Sequence, residues 1–524
     1  LIKQWEKEPN SHQKLTLLCN LNDYYPDGTF PILDDDIKKL LLSHILDTWT
    51  SVSEQIRFHQ LQFLRIILRD KNSSDLDSFI HILTHLTRIA KLSADDTEES
   101  KYEPIKIVLE SEKCLVNLLF NSAKARALFQ MAPFGRLVSR IHSISAIYGG
   151  VSTLSVGYEY LAEWSVDKVE ELLLYDLKIA FITTALIQKI RNDCVNDTDK
   201  TTVFLNLLVY SLEKVPALMA CKYVNEALNT LFNIYHDSKM FDMDTSGKCA
   251  DACARIVKCV NLDLETKQNA VNLLSVETNE ISDTSVAMEG FDMSFLNSLL
   301  HVFEVQIDKY EKKQIIIEFL GTFLTILSHL CSEHKAARRF CRMKILPPLT
   351  GDDVRRRPEE GGSFRNKMVR LMSSTSRYGE MTAEILFVLC KRSVCRLMKY
   401  CGFGHSAGLL ANYGFLGQAT TAQRRPSDSE DSETEEYKRV EEKVNPVTGS
   451  IPPPEQLGEW RRQLESMSDE QREYEMMKLV DCMDKLMHGV IKPGVVGEDG
   501  ELRQAKHVAE LIKDVKTENE SDDD

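Results

Sequence analysis

The chain has 524 residues, 43% hydrophobic and 27% charged, with a formal net charge of −15. That apolar fraction excludes a chain disordered throughout, and no apolar run reaches the roughly 20 residues of a membrane-spanning helix. The length accommodates about three or four domains or one long repeat array.

The first residues, Leu1-Ile2-Lys3-Gln4-Trp5-Glu6, do not have the shape of a signal peptide. Beyond them, Leu and Ile recur at three- and four-residue spacing. This predicts helices over 36–50, 54–69, 75–92, 104–121, 166–193, 217–237, 291–308 and 311–333. Asp34, Asp35 and Asp36 before Ile37 form a plausible helix start. The longest apolar run, Leu177 to Ile187, has Asp176, Lys178 and Lys189 in or beside it and reads as a buried helix. Residues 1–346 hold 6 of the 15 Pro and 8 of the 23 Gly, so turn-makers gather in the last third. No alternating strand pattern emerges, and the expected fold is all-α.

Thirteen cysteines are spread from Cys19 to Cys482, mostly within apolar helical stretches. A secreted disulfide framework would be denser, so a reducing compartment is expected. Cys249, Cys253 and Cys259 lack a fourth ligand at zinc-finger spacing and read as buried helical thiols.

Three segments place Asn inside an apolar run: Asn117, Asn233 and Asn272. The steps between them are 39 residues and 116, close to three times 39. Armadillo and HEAT units run about 40–47 residues. The expectation is an irregular armadillo/HEAT-like superhelix over 1–417. An Asn on such a face is costly unless its amide finds partners. Either it satisfies a neighbouring repeat or it meets the backbone of a bound peptide. Stacked repeats offer an extended concave surface, which favours a binding protein. Arg65 and Arg69, at i and i+4, share a helix face and form a second groove candidate or an idle surface pair.

Between Lys335 and Lys399 there are 16 Lys/Arg and 6 Asp/Glu, a balance of +10 in an acidic protein. This basic zone includes Arg338, Arg339, Arg365, Lys367 and Arg370. It favours an acidic partner or an acidic segment of the same chain over nucleic acid, with a solvated face as the alternative. Residues 418–468 then read as an acidic, Pro-rich linker and 469–524 as a tail. The tail has an amphipathic helix near 469–488, a short one near 501–514 and an acidic end.

Catalytic constellations are missing from the sequence: no phosphate-binding Gly loop, no nucleophile elbow and no His pair at zinc spacing. Gly402-Phe403-Gly404 lacks the third Gly and the Lys-Ser/Thr of a phosphate loop. The expectation is no bond-making active site and no cofactor.

A series of motifs carries a resemblance. Ala336-Ala337-Arg338-Arg339-Phe340, Ile345-Leu346-Pro347-Pro348-Leu349 and Arg365-Asn366-Lys367-Met368-Val369-Arg370-Leu371-Met372 occur in order. Gly402-Phe403-Gly404-His405-Ser406-Ala407-Gly408, Glu435-Glu436-Tyr437-Lys438, Asn445-Pro446-Val447-Thr448-Gly449 and Glu475-Met476-Met477-Lys478-Leu479-Val480 follow. Together they resemble the synembryn family, named for resistance to inhibitors of cholinesterase. The resemblance covers about 34–493, is most specific over 335–493, and weakens around 137–165, where this chain carries extra residues.

The resemblance implies a helical-repeat superhelix that binds heterotrimeric G-protein α subunits. It implies chaperoning of nascent α subunits and receptor-independent exchange of GDP for GTP. The groove would hold the α subunit's C-terminal helix through Arg65, Arg69 and Asn117. The tail, through Met476, Met477, Leu479 and Val480, would reach its nucleotide-binding domain or pack on the array. Ser427 and Ser432 match the family's phosphorylated positions by distance from Tyr437, and each precedes a Glu at the spacing casein kinase II prefers. The phosphorylated segment would clamp onto the basic zone. A cytoplasmic monomer, recruited to the membrane or cortex through its partner, is expected. An armadillo-type peptide scaffold or transport adaptor is the alternative.

Overall fold

The structure is a computed structural model. It describes residues 35–69, 78–93, 103–129, 131–148, 157–214, 217–236, 243–277, 293–414 and 434–453, with scattered positions in 4–17 and 466–504. The chain divides into two compact units, Leu1–Ser282 and Asp283–Asp524.

The first unit is built from helix pairs in two layers. One layer runs α2 (Glu54–Ile67), α4 (Ile105–Asn121), α7 (Val166–Leu186), α10 (Ala217–His236) and α12 (Leu264–Glu277), each packed on the next. Behind them lie α1 (Asp35–Thr48), α3 (Ser78–Ile89), α6 (Met131–Tyr148), α9 (Thr198–Lys214) and α11 (Met243–Lys258). Short α5 (Ala123–Leu128) and α8 (Gln188–Asn196) complete the turns. Each pair buries the apolar stripe that its spacing creates, and the stack makes one continuous core. Leu61, Leu64, Leu115, Leu118, Leu177, Leu228 and Leu231 are all buried within it. On α7 even Thr183 and Thr184 are fully buried, and both hydroxyls donate back to carbonyls of their own helix, from Ile179 to Phe181.

The predicted helices appear with three adjustments. The expected 166–193 helix breaks at Ile187 into α7 and α8, because Ile187 takes an extended conformation. The expected 311–333 helix starts only at Glu318. Lys313 adopts φ +58 and ends the preceding helix, with Gln314 N–H donating to the Lys309 carbonyl at 2.9 Å. Helices α6 and α9 were not foreseen, and α11 and α12 only through the helical reading of Cys249 and Cys253 and the apolar run around Asn272. The expected 39-residue period also needs correcting. Asn117 lies in the second pair, Asn233 in the fourth and Asn272 in the fifth. The 116-residue step therefore spans two repeats with long connectors, not three short ones.

The second unit contains α13 (Ser294–Glu311), α14 (Glu318–Glu333), α15 (Lys335–Ile345), α16 (Phe364–Met372), α17 (Arg377–Leu389), α18 (Val394–Cys401), α19 (Phe403–Asn412) and the single turn α20 (Glu435–Lys438). Phe303 and Phe323 stack at 5.3 Å between α13 and α14. A shared joint recurs in both units. Arg126 reaches back to the carbonyls of Leu119 and Phe120, and Arg338 to those of Cys331 and Ser332. Each guanidinium caps the C-terminus of the helix before it, where orphan carbonyls and the helix dipole favour a cation.

Residues 434–453 belong to the stretch read from sequence as linker, yet they fold back as a strap on the second unit. Thr434 Oγ1 donates to the Leu349 carbonyl and accepts from Tyr437 N–H at 3.2 Å. Tyr437 is buried, its ring 4.2 Å from the Lys399 ammonium. The N–H groups of Phe403 and Gly404, at the start of α19, donate to the carbonyls of Pro446 and Val447, both at 2.9 Å. Ile451 N–H donates to the Val354 carbonyl at 2.7 Å. Gly402 and Gly449 touch here with φ +76 and +67, and a Cβ on either would lie 3.1–3.2 Å from the other's backbone.

Near the tail, Gly494–Val496 pairs antiparallel with Leu502–Gln504. Of the short helix expected near 501–514, Leu502–Gln504 is a strand instead, and the rest of that stretch lies outside the described residues. Val495 and Val496 favour extended backbone.

Candidate functional site

The α2–α4–α7 face carries the first set of predicted residues. Arg65 is half-buried on α2, its Nε 2.8 Å from Glu110 Oε1 on α4. Glu110 is buried and also lies 3.5 Å from Lys113. Lys113 reaches Glu171 on α7 at 3.1 Å, and Glu171 meets Lys168 at 2.8 Å. Burial alone would depress the Lys113 ammonium, but Glu110 and Glu171 outweigh it and raise its pKa. An alternating chain of charges thus runs across three consecutive helices of the layer. Arg69 stands exposed at the end of α2.

The asparagines tie the same helices together. Asn117 Nδ2 donates to the Arg65 carbonyl at 2.9 Å, and Asn121 Nδ2 to the Leu68 carbonyl at 2.8 Å. Asn233 Nδ2 donates to the Phe181 carbonyl and the Thr184 hydroxyl, both at 3.2 Å. Both Asn117 and Asn233 bridge 52 residues, one repeat step. Asn272 accepts from Gln268 of its own helix at 2.9 Å, while its neighbour Asn269 donates to Asn225 on α10 at 3.0 Å. Sequence reasoning missed Asn121, Asn225, Glu110, Lys113 and Glu171. For Asn121 a signal existed, since it falls one turn after Asn117 on the same face. Arg65 and Asn117 are brought together; each also holds the layer.

The basic zone is largely engaged within the second unit. Lys367 Nζ lies 3.0 Å from Glu304 and 2.7 Å from Asp308. Arg370 makes a two-pronged pair with Glu311 at 2.7 and 3.0 Å and donates to the carbonyls of Glu359 and Gly361. Glu304, Asp308 and Glu311 form one stripe on α13 facing α16. Arg338 caps α14, and Arg339 is half-exposed. Arg365 is only 3% exposed. Its Nε donates to the Tyr400 carbonyl at 2.9 Å, and burial pushes its pKa down.

His405 bridges Glu359 at 2.9 Å and Ser373 Oγ at 2.8 Å. Ser373 N–H is engaged with the carbonyls of Val369 and Arg370. Among the described residues no group of His, Cys, Asp or Glu is placed to hold a metal, and no helix is long and apolar enough to cross a membrane. Of the tail, Met477 is exposed. Ser427, Ser432, Met476, Leu479 and Val480 lie outside the described residues.

Stacked helix pairs, cross-tied by asparagines on one layer, define a helical-repeat protein of the armadillo/HEAT kind. A family model described as guanine nucleotide exchange factor synembryn matches residues 60–501. The chaperone ric-8 of Caenorhabditis briggsae is 33% identical over 470 residues, 80% of this chain and 81% of its own length. The chaperone ric-8 of Caenorhabditis elegans is 30% identical over 497 residues, 86% of each chain. The mouse chaperone Ric-8A is 30% identical over 499 residues, 89% of this chain and 88% of its own. The chain belongs to the synembryn family of guanine nucleotide exchange factors.

Proposed function

We propose that this protein is a receptor-independent exchange factor and folding chaperone for heterotrimeric G-protein α subunits. The observation that carries this reading is the family match, which spans the repeats and the tail alike. In it, Arg65, Arg69 and Asn117 meet the C-terminal helix of the α subunit on the α2–α4 face. Arg65 and Asn117 are adjacent there, which supports a shared task.

The mechanism is a population shift. A surface that binds the C-terminal helix better when it is displaced favours an open, nucleotide-free α subunit. GDP then leaves. GTP binding favours the closed form and, by linkage, expels the exchange factor. No bond is made or broken by this protein, and no cofactor is needed. A nascent α subunit without nucleotide resembles the same open state, so one surface serves chaperoning and exchange.

The tail helix, through Met476, Met477, Leu479 and Val480, reaches the nucleotide-binding domain. The exposure of Met477 supports an apolar contact of this kind. Casein kinase II modifies Ser427 and Ser432, and the phosphates dock on the basic zone. The protein works as a monomer in the cytoplasm and reaches the membrane or cortex through its partner.

The test loads an inhibitory-class α subunit with labelled GDP and adds the casein kinase II-treated protein. Faster GDP release, with a stable complex only when GTP is absent, is the expected result. Deleting residues 454–524 abolishes it. A complex that leaves GDP release unchanged would reduce the role to chaperoning. No complex with any α-subunit class would return the protein to the peptide-scaffold reading.

A further inference from the structure

A charge cluster is buried where α4, α6 and α7 meet. Arg140, Glu112 and Asp176 are each 0% exposed. Arg140 Nε donates to Asp176 Oδ2 at 2.9 Å, and Nη1 to the Ala90 carbonyl at 2.6 Å. Its Nη2 meets both Asp176 Oδ1 and Glu112 Oε1. Two carboxyl groups thus face each other across one guanidinium nitrogen.

The neighbouring elements close the site. From the end of α3, Lys91 places its ammonium 4.2 Å from the Tyr160 ring and 5.8 Å from that of Trp164. The Tyr160 and Trp164 rings meet at 4.8 Å, tilted by 58°. Tyr158 OH donates to the Arg136 carbonyl on α6 at 2.9 Å. Tyr160 lies against Arg140, and burial pushes its hydroxyl up to about 12. Glu103 lies within the field of Lys91 and is itself paired with Arg57. Residues 157–164 thus form an aromatic cover.

With both carboxyls ionised, the triad would hold a net charge of −1 at zero exposure. Such a charge costs several kcal/mol, and two adjacent carboxyls avoid it by sharing one proton. As a carboxylate, Glu112 Oε2 has no donor to accept from. A proton on Glu112 gives it a partner in the facing Asp176, which an acceptor-only carboxylate cannot have. Burial pushes the Glu112 carboxyl well above the usual range; Arg140 opposes this and Asp176 adds to it. Asp176 is also raised by burial, with Arg140 opposing.

We propose that Glu112 is a resident carboxylic acid at neutral pH, donating its proton to Asp176, and that this proton locks α4, α6 and α7 together beneath the aromatic cover. The raised folded-state pKa fixes the sign. Folding takes up a proton, so the contribution is fully present below the ordinary glutamate range. It is lost as pH rises through the folded value.

The experiment is infrared spectroscopy of the full chain at neutral pH, where ordinary carboxylates are ionised. The expected result is one un-ionised carboxylic acid carbonyl band that shifts when glutamate carboxyls alone are labelled with carbon-13. Glu112→Gln, which keeps shape and a donor, should remove the band. Its Tm should match or exceed the wild type's at alkaline pH and lose the wild type's decline with pH. Absence of the band in the wild type, or a band that ignores glutamate labelling or survives in Glu112→Gln, overturns the proposal. Labelling needs no variant, so the absence of a glutamate-sensitive band overturns the proposal even if Glu112→Gln fails to fold.

Discussion

Replacing Tyr437 by Ala should free the first half of the strap without unfolding the second unit. Tyr437 is 4% exposed and sits under the Lys399 ammonium. Truncating a buried aromatic to Ala costs about 3–5 kcal/mol, of which the cation–π contact supplies roughly 0.5–2 kcal/mol. The anchor at Thr434 is a single hydrogen-bond pair worth about 1 kcal/mol net. It is too weak to hold 434–444 alone. The later anchors, at Pro446, Val447 and Ile451, do not depend on the ring and should hold. Trypsin reads the difference, because Lys438, Arg439 and Lys443 are exposed. Cleavage tracks the open population when reclosing is fast, so about 3 kcal/mol predicts roughly 100-fold faster cutting at these sites. Tyr437→Phe keeps the ring and should stay within about tenfold of the wild type. Unchanged cleavage in Tyr437→Ala, or equal acceleration in Tyr437→Phe, would refute the claim that the buried ring holds the strap.

Arg65→Ala leaves the buried Glu110 with only its longer contact to Lys113, at 3.5 Å, and should cost about 1–3 kcal/mol, read by thermal unfolding. Arg65→Met combined with Glu110→Met should recover most of that stability. If Arg65 also meets the partner, the double variant should still fail to bind; recovered binding would confine Arg65 to a structural role. Lys313 holds φ +58 while exposed, so Lys313→Gly should stabilise by about 1 kcal/mol. At Lys91, with φ +59, the same change also removes the contact with Tyr160 and should yield less. Denaturant midpoints of the two variants check the difference.

The helical character and the presence of amides on the packed helix faces were legible, because both rest on local spacing; which task the amides serve was not. Asn117 and Asn233 stood out as amides on apolar faces, and each bonds the preceding helix of its layer. The period was not legible. The intervals between successive helices of the layer differ, so distances between asparagines do not count repeats. Helix α6 was missed because Gly135 and Pro133 interrupt its sequence near the N-terminus, where a Pro is tolerated. The buried cluster at Arg140 was invisible, since 112, 140 and 176 share no local pattern. The strap was misread because Pro, Gly and charge dominate 434–453. Tyr437 and Ile451, which hold it, are single residues among them.

Burial and pairing also redistribute the basic zone. A cation already held by a buried or bidentate contact gains little from a new phosphate, because the old partner must first be given up. Arg365, Lys367 and Arg370 fall in this group. Arg355, Arg356 and Arg357 do not: all three are exposed, and the pairs Arg355–Asp352 and Arg357–Glu359 are long, at 3.4 and 4.0 Å. Such surface pairs contribute about 0–1 kcal/mol and are cheap to exchange. An acidic segment phosphorylated at Ser427 and Ser432 should therefore dock on 355–357. Phosphorylation worth about 1 kcal/mol of docking would raise Tm by roughly 2–4 °C in a unit of this size. The combined Arg355→Ala, Arg356→Ala and Arg357→Ala variant should lose that gain while keeping the unphosphorylated Tm. Lys367→Ala should start from a lower Tm, because Glu304 and Asp308 lose their partner, yet keep the gain. The opposite pattern would place the phosphates on α16 and mean that they displace the α13 carboxylates.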